Sequence, residues 1–212
     1  MPDLSRLLAP RSVAVVGATD RVGSYAGQTL RNLTLAGFPG PVHGVHPRRR
    51  EVLGYACVPS LADLPGPVDA VVLATPADTV AGYLEEIGRM GCGGAVVYAA
   101  GFAETGHDAA QQAAVRSATA HALPVLGPNC NGVVAVTSRA PLWGDAVRLP
   151  ALPGPVALVT QSGNLGVVAL AHRGIPERDH GVQSVPAAVV DAPAAVEYLA
   201  AAEGVRAIAL YL

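Results

Sequence analysis

The chain has 212 residues, of which 51% are hydrophobic and 14% are charged, and its net charge is −2. This composition is typical of a packed protein and argues against intrinsic disorder, strong attraction to nucleic acid and binding to anionic membranes. All 14 basic residues are arginine, which excludes lysine-dependent chemistry such as Schiff-base formation. We expect a cytoplasmic protein for three reasons. The three cysteines lack CxxC spacing, the sequence shows no signal-peptide pattern, and no apolar run approaches the ~18 residues of a membrane span.

The first predicted strand, residues 12–17, is a run of small and β-branched residues that ends at Gly17. Gly23 follows, at the start of a helix predicted over residues 23–36. A buried strand that passes into a helix in this way is typical of a mononucleotide-binding βα unit, in which the first N–H groups of the helix bind an anion. The segment therefore predicts a phosphate site, and a tight turn without a ligand is the alternative.

The same alternation continues along the first 130 residues. A lead-in helix is predicted at 4–8, a one-turn helix at 60–64, longer helices from about 77 to 90 and from 107 to 121, and strands at 42–46, 69–74, 94–98 and 124–126. Short connections between strands and helices predict an α/β fold with a doubly wound parallel sheet and helices on both faces. Ligands of such a sheet lie beyond the carboxyl ends of its strands.

The pattern changes after residue 132. Residues 133–153 are rich in proline and weakly periodic, which predicts a linker between domains. A second alternation follows, with strands at 155–160, near 182 and at 206–212 and with helices ending near 173 and spanning 191–202. The last strand is almost entirely apolar, and the elements before it are too few to cover both its faces, so we expect an incomplete second domain. A truncated chain, completion by a partner and a minimal module are the alternatives.

Three consecutive arginines, residues 48–50, follow the second predicted strand, which ends at His46. Enzymes that bind NAD in this fold generally carry an Asp or Glu there. Guanidinium groups instead suit a phosphate-bearing ribose, as in coenzyme A or NADP, and a solvated basic turn is an equally compatible interpretation. The glycine spacing G-x5-G, in place of G-x-G-x-x-G, argues against a dinucleotide.

Six short motifs occur in order, at residues 12–19, 47–48, 74–77, 100–104, 127–130 and 161–163. Together they resemble the α-subunit portion of the NDP-forming acyl-CoA synthetases, the superfamily of succinyl-CoA synthetase and ADP-forming acetyl-CoA synthetase. The resemblance covers essentially the whole chain. It implies a CoA-binding, Rossmann-like domain at 1–132, the linker at 133–153, and part of a flavodoxin-like ligase domain at 154–212.

The resemblance also implies which residues contact coenzyme A. It assigns the CoA phosphates to the turn after the first strand, a positive charge to the second turn, and the CoA channel and thiol end to three later loops. The expected CoA-binding residues are Gly17, Ala18, Thr19, Arg21, Gly23, Ser24, Arg48, Thr75, Pro76, Ala77, Gly101, Phe102, Asn129 and Cys130. Asn131 departs from the family, which usually has a small or apolar residue there.

Ser162, Gly163 and Asn164 follow the first strand of the second domain. A hydroxyl and consecutive N–H groups at a helix start form an anion site, and in the family this helix start faces the phosphate of a phosphohistidine. We therefore predict a phosphate site at these three residues. An N-cap that only begins the helix is the alternative from the residues alone.

Three departures from the family limit the expected catalysis. The phosphorylated histidine and its supporting carboxylate, which would follow the pair 211–212, are not in this sequence, and residues 184–191 replace the family's Gly-Asn loop, with at most Asp191 retained. None of the six histidines has the spacing of a Ser-His-acid triad or a metal site. We therefore predict no catalytic residue and no metal ligand in the chain.

The resemblance implies the CoA-binding, α-subunit-like part of a ligase that interconverts acyl-CoA, NDP and phosphate with a carboxylic acid, CoA and NTP. Mg²⁺ and the nucleotide would bind an ATP-grasp β-subunit or further domains, so an oligomer is expected. A non-catalytic protein that binds CoA or acyl-CoA is the first alternative. An NADP-dependent oxidoreductase is a weaker one, since no acid–base pair for hydride transfer is evident.

Overall fold

The computed structural model describes residues 3–102, 108–150, 154–171, 178–183 and 190–212. Two sheets organise them. The first has seven strands in the order β3-β4-β2-β1-β5-β6-β7, and the second has five in the order β12-β10-β11-β8-β9. The predicted α/β class with a largely parallel central sheet is confirmed.

The first sheet is parallel except at one edge. Its strands are β1 (Val13–Val16), β2 (Val42–Val45), β3 (Glu51–Val52), β4 (Tyr55–Val58), β5 (Ala70–Leu73), β6 (Ala95–Val97) and β7 (Val125–Leu126). The antiparallel β3–β4 hairpin is absent from the sequence prediction. Its two-residue turn has positive φ at both positions, 53° at Leu53 and 82° at Gly54, as a type I′ turn requires.

Helices cover both faces of this sheet. They are α1 (Ser5–Leu8), α2 (Tyr25–Ala36), α3 (Ala77–Met90) and α4 (Asp108–Ala120), with a 3₁₀ turn at Leu61–Asp63. Alternate residues of β1 point to opposite sides. Val13 and Val15 pack in one core with Leu30 and Leu33 of α2, whereas Ala14 and Val16 belong to the other core, which contains α3. The doubly wound arrangement therefore follows from a strand that is buried on both faces.

The second sheet combines a parallel and an antiparallel part. Its strands are β8 (Gly132–Ala135), β9 (Ala140–Trp143), β10 (Val156–Thr160), β11 (Arg178–Gln183) and β12 (Ala207–Tyr211), and its helices are α5 (Gly163–Ala171) and α6 (Ala192–Ala201). Strand β10 pairs in parallel with β11 and β12, and β8 pairs antiparallel with β11 and β9.

The segment 133–153 is not a linker without regular structure, because it contains most of the β8–β9 hairpin. Pro141 is one of the prolines that favoured the prediction of a linker. It lies in β9, which has β8 as its one neighbour within the described part of the chain, and a missing N–H group is tolerated on such an edge strand. Val133 and Leu142 of the hairpin are fully buried in the same core as α2, so the two sheets share packing across this hairpin.

At the other end of the second sheet, β10 is the only strand among the described residues that pairs with β12, and Leu210 and Tyr211 are exposed. The predicted domain boundaries remain a prediction. Among the residues that the structure describes, every helix is too short or too polar to cross a membrane.

Candidate functional site

The turn after β1 is held by both neighbouring strands. The N–H groups of Gly17 and Ala18 donate to the carbonyl oxygen of Val45 in β2, at 3.1 and 3.4 Å. Gly17 has φ of 81°, and a Cβ atom there would lie 2.5 Å from the carbonyl oxygen of Ala74, which follows β5. Only glycine fits this position, because both the backbone conformation and the close approach exclude a side chain.

The loop between this turn and α2 is ordered by two hydroxyl groups. Ser24 is the N-cap of α2, and its Oγ accepts from the Gly27 N–H at 3.2 Å and donates to the Arg21 carbonyl at 2.8 Å. The Arg21 N–H donates to Oγ1 of Thr19 at 3.2 Å. The N–H groups of the first turn of α2 lack partners within the helix, so this capped end carries the positive end of the helix dipole.

The three arginines after β2 differ in their partners. The Arg49 guanidinium is paired with the Asp20 carboxylate at 2.7 Å, and this hydrogen bond helps to hold the pKa of Asp20 below its usual value. Arg48 and Arg50 are exposed and make no ion pair with any described residue. Arg49 is thus engaged by a carboxylate, whereas Arg48 and Arg50 are not engaged by any that the structure describes, and binding of a phosphate by these guanidinium groups stays a prediction.

His46 shapes the same turn. Its Nδ1 atom accepts from the N–H groups of both Arg48 and Arg49, each at 3.1 Å. These two hydrogen bonds join the side chain at the end of β2 to the backbone of the turn that carries Arg48. This histidine supports the turn through its ring nitrogen, a role that its position at the strand end did not reveal.

The loop after β5 contains an unpartnered hydroxyl. Thr75 Oγ1 is buried and has no hydrogen-bond partner among the described residues. It follows Ala74, whose carbonyl oxygen lies against the Gly17 turn, and it precedes Pro76 at the N-cap of α3 and Ala77 at its first turn. A buried hydroxyl without a partner costs about 1–3 kcal/mol, so a polar ligand at this edge would satisfy it.

The loops after β6 and β7 lie side by side. The Asn129 N–H donates to the Ala99 carbonyl at 2.9 Å, and Asn129 has φ of 54°. Gly101 also has positive φ, 88°. Phe102 is only 1% exposed and packs in the core with α3 and α4. Phe102 therefore contributes to this loop as an anchor, and its ring is not available at the surface.

Cys130 is directed into the protein. Its Sγ donates to the Val97 and Leu126 carbonyls at 3.4 and 3.7 Å, and burial raises the pKa of its thiol to about 12. A fully buried, protonated thiol is a poor nucleophile. The side chain anchors the loop between β7 and β8, so its thiol is not presented to a ligand.

A polar cluster near the start of α2 escaped the sequence analysis. The rings of Tyr25 and Tyr98 meet edge to face, with centroids 5.3 Å apart, and the Tyr98 hydroxyl is hydrogen-bonded to Thr29 at 2.8 Å. Asn131 Nδ2 donates to Asp145 Oδ2 at 3.0 Å. Asp145 lies in the stretch that was predicted as a linker, which is why it was not considered.

The predicted phosphate residues of the second domain lie at the carboxyl end of β10. Ser162 Oγ accepts from the Leu165 N–H at 3.3 Å, and the Ser162 N–H donates to Thr160 Oγ1 at 3.0 Å. Gly163 is the first residue of α5 and Asn164 is exposed. Ser162 thus caps the helix as the alternative interpretation expected, and a phosphate site at Ser162, Gly163 and Asn164 stays a prediction.

The sheet order places most of the predicted CoA residues in loops at the carboxyl ends of the strands of the first sheet. Strands β2, β1, β5, β6 and β7 are consecutive and parallel, so the loops at their carboxyl ends form one continuous rim. The Ser162 turn belongs to the second sheet. Among the residues that the structure describes, no three His, Cys, Asp or Glu side chains are grouped as metal ligands.

Comparison with known proteins identifies the family. Residues 11–135 match the family model described as "CoA binding domain". The chain is 32% identical over 213 residues to acetate–CoA ligase [ADP-forming] I of Archaeoglobus fulgidus, covering 99% of this chain and 30% of that protein. It is 32% identical over 219 residues to the α subunit of acetate–CoA ligase [ADP-forming] I of Pyrococcus furiosus, covering 99% and 46%.

A solved structure agrees with these relatives. The dinucleotide-forming acetyl-coenzyme A synthetase 1 of Ca. Korarchaeum cryptofilum, in complex with phosphate and ADP, superposes with a TM-score of 0.91 at 32% identity. The match covers 100% of this chain and 46% of that chain. The present chain thus spans less than half the length of each of these relatives. It belongs to the CoA binding domain family, within the superfamily of NDP-forming acyl-CoA synthetases.

Proposed function

We propose that this chain binds coenzyme A along the carboxyl rim of its first sheet, as the α-subunit-like part of an ADP-forming acyl-CoA ligase. The observation that carries the proposal is the Gly17 turn, where a strand end packed against its two neighbours leads into the capped N-terminus of α2. A helix end of this kind binds phosphate through backbone N–H groups. The match to the CoA binding domain covers this turn.

The fit of coenzyme A to the rim rests on two further features. Thr75 Oγ1 is a buried hydroxyl beside the turn without a partner among the described residues. A phosphate oxygen or an amide carbonyl oxygen of the ligand would accept a hydrogen bond from it. The five strand ends from β2 to β7 span roughly 19 Å at the usual strand spacing of about 4.8 Å, which suits an extended molecule of this size.

Each end of the rim would then hold one end of coenzyme A. Arg48 at the β2 end would pair with the phosphate on the ribose, because its guanidinium has no carboxylate partner among the described residues. The pyrophosphate would be surrounded by the turn after β1 and the start of α2, with Gly17, Ala18, Thr19, Arg21, Gly23 and Ser24. Three loops would line the path toward the thiol end: the loop with Thr75, Pro76 and Ala77, the loop with Gly101 and Phe102, and the loop with Asn129 and Cys130.

In the proposed reaction the thiol of coenzyme A is the nucleophile, and Cys130 does not compete with it because it is buried, with its pKa raised to about 12. The ligand thus supplies the nucleophile that attacks an activated acyl group. Backbone N–H groups at Ser162, Gly163 and Asn164 would hold a phosphoryl group. The relative from Ca. Korarchaeum cryptofilum was solved with phosphate and ADP, in keeping with phosphoryl chemistry in this superfamily.

The nucleotide, Mg²⁺ and the phosphohistidine would come from other parts of the enzyme. The relatives include α subunits, so the partner that we propose is an ATP-grasp β-subunit or further domains, in a cytoplasmic oligomer. A protein that binds CoA or acyl-CoA without turnover is compatible with the same rim. The presence or absence of turnover with a β-subunit separates these two functions.

Isothermal titration of the chain with CoA, NADPH and ADP tests the proposal. CoA should bind with a stoichiometry of one, and NADPH and ADP should bind weakly or not at all. Arg48→Ala should weaken CoA binding by roughly ten- to a hundredfold, the contribution of a charge-assisted hydrogen bond, while Arg49→Ala, the matched control, should weaken it less because Arg49 is paired with Asp20. Tight NADPH binding without CoA binding would contradict the proposal.

A further inference from the structure

Four residues form a polar and aromatic cluster at the β6–β7 end of the rim, here called the Asp145 cluster: Tyr25, Tyr98, Asn131 and Asp145. Tyr25 is the first residue of α2, Tyr98 directly follows β6, and Asn131 follows the loop after β7. They therefore lie where the thiol end of coenzyme A would arrive if the proposed function holds. No role in CoA binding accounts for them.

One hydrogen bond holds the carboxylate of Asp145, and two others hold the backbone around it. Asn131 Nδ2 donates to Oδ2 at 3.0 Å, and the Asp145 carbonyl accepts from buried Asn32 at 2.8 Å. The neighbouring Gly144 N–H donates to the Asn131 carbonyl at 2.9 Å. Asp145 is half-buried, and its other oxygen, Oδ1, accepts no hydrogen bond from any described residue. One acceptor of a fixed negative charge is thus available to a ligand.

The two tyrosine rings form a wall beside this carboxylate. Tyr98 is buried and Tyr25 is 38% exposed, and the rings meet edge to face at 5.3 Å. The Tyr25 ring lies directly against Gly144, where a Cβ atom would approach it to 2.6 Å. Burial, and then the negative charge of Asp145, raise the pKa of Tyr25, so its phenol keeps its proton at neutral pH.

We propose that the Asp145 cluster selects the acyl group, favouring a short acyl chain that carries a hydroxyl or ammonium donor. Such a donor would bond to Asp145 Oδ1 while the carbon chain packs on the Tyr25 ring. This inference rests on the proposed function, because it places the acyl group at the thiol end of bound coenzyme A. Asn131, the departure from the family noted in the sequence, is the residue that orients the carboxylate.

The same charge discriminates against other acyl groups. An unsubstituted acyl chain would leave Asp145 Oδ1 without a hydrogen-bond donor when the ligand excludes water from it. A dicarboxylic acyl group would bring a second negative charge close to Asp145, which is unfavourable in a partly buried site. The order of affinity should therefore be donor-bearing, then unsubstituted, then carboxylated acyl groups.

Isothermal titration of the whole chain with four ligands of similar length tests this order: butanoyl-CoA, 3-hydroxybutanoyl-CoA, 4-aminobutanoyl-CoA and succinyl-CoA. At least one donor-bearing ligand should bind about tenfold more tightly than butanoyl-CoA, as one hydrogen bond to a charged group predicts, and succinyl-CoA should bind most weakly. The hydroxyl and ammonium ligands distinguish the two donors, because only the preference for ammonium should fall steeply with added salt.

Two variants identify the residue responsible. The preference is measured as the dissociation constant of butanoyl-CoA divided by that of the donor-bearing ligand. In Asp145→Asn this ratio should fall to within about twofold of one, and in Asn131→Ala it should lie between the wild-type value and one. Glu197→Gln, an exposed acid on α6, is the matched control and should keep the ratio.

Equal affinity of the wild-type chain for all four ligands overturns the inference without any variant, while CoA binding itself still supports the proposed function. A preference that survives in Asp145→Asn also overturns it. Failure of the wild-type chain to bind CoA at all would instead refute the proposed function.

Discussion

Replacing Gly17 by alanine should destabilise the chain more than the same replacement at another glycine with positive φ. At Gly17 the backbone has φ of 81°, which costs an L-residue about 1–2 kcal/mol. The new Cβ would also lie 2.5 Å from the Ala74 carbonyl oxygen, and this overlap with backbone adds about 1–3 kcal/mol. The total, about 2–5 kcal/mol, is a large part of the 5–15 kcal/mol that typically stabilises a domain.

Gly54→Ala is the matched control. Gly54 has φ of 82°, yet a Cβ atom there meets nothing within 4 Å, so only the conformational cost remains. Urea unfolding followed by circular dichroism should place the midpoint of Gly17→Ala lower than that of Gly54→Ala by about 1 M, given a usual slope of about 1–3 kcal/mol per molar. Equal midpoints would refute the close approach of the turn to β5.

Three further predictions concern single side chains. Thr75→Val should leave the free energy of unfolding unchanged or raise it by about 1–3 kcal/mol, since it removes a buried hydroxyl without a partner, and should weaken CoA binding; a clear loss of stability in urea unfolding would show that the hydroxyl is satisfied. Although burial of Asp69 favours its neutral form, hydrogen bonds from Arg6 and Arg11 outweigh this and lower its pKa. The ionised Asp69 should thus contribute fully to the free energy of unfolding above about pH 5, and this contribution should decline as the pH falls below about 4. In thermal unfolding, Asp69→Asn should lose less stability than the wild-type chain over this acid range. Ellman's reagent at pH 8 should modify Cys130, whose pKa is about 12, only in urea; rapid native modification, mapped by mass spectrometry, would contradict its burial.

Much of the fold was predictable because it depends on local pattern. Runs of buried β-branched residues identified β1, β5 and β6, and their alternation with helices predicted a doubly wound sheet. The β3–β4 hairpin was missed because β3 has two residues and only two pairs of residues join it to β4, which is too short a stretch to show a pattern. The β8–β9 hairpin was missed because a proline is tolerated on an edge strand, which only the strand order shows.

The candidate site was predictable where its residues are adjacent in sequence. The Gly17 turn and the start of α2 lie in one short segment, so the strand-to-helix pattern identified the turn, whereas the role of Ser24 as N-cap comes from the structure. The Asp20–Arg49 ion pair and the Asn131–Asp145 hydrogen bond join residues from different loops. Their partners are set by the sheet order and by the hairpin, so no local pattern could indicate them. The inward orientation of Phe102 and Cys130 likewise depends on packing.

We propose that the first turn and Arg48 together hold a phosphorylated adenosine. Titration of the chain with CoA and with 3′-dephospho-CoA, in wild type and in Arg48→Ala, measures this most directly. Wild type should prefer CoA by roughly ten- to a hundredfold, and Arg48→Ala should bind both ligands alike, because the substitution removes the guanidinium that pairs with the ribose phosphate. Equal binding of the two ligands by the wild-type chain would contradict the account.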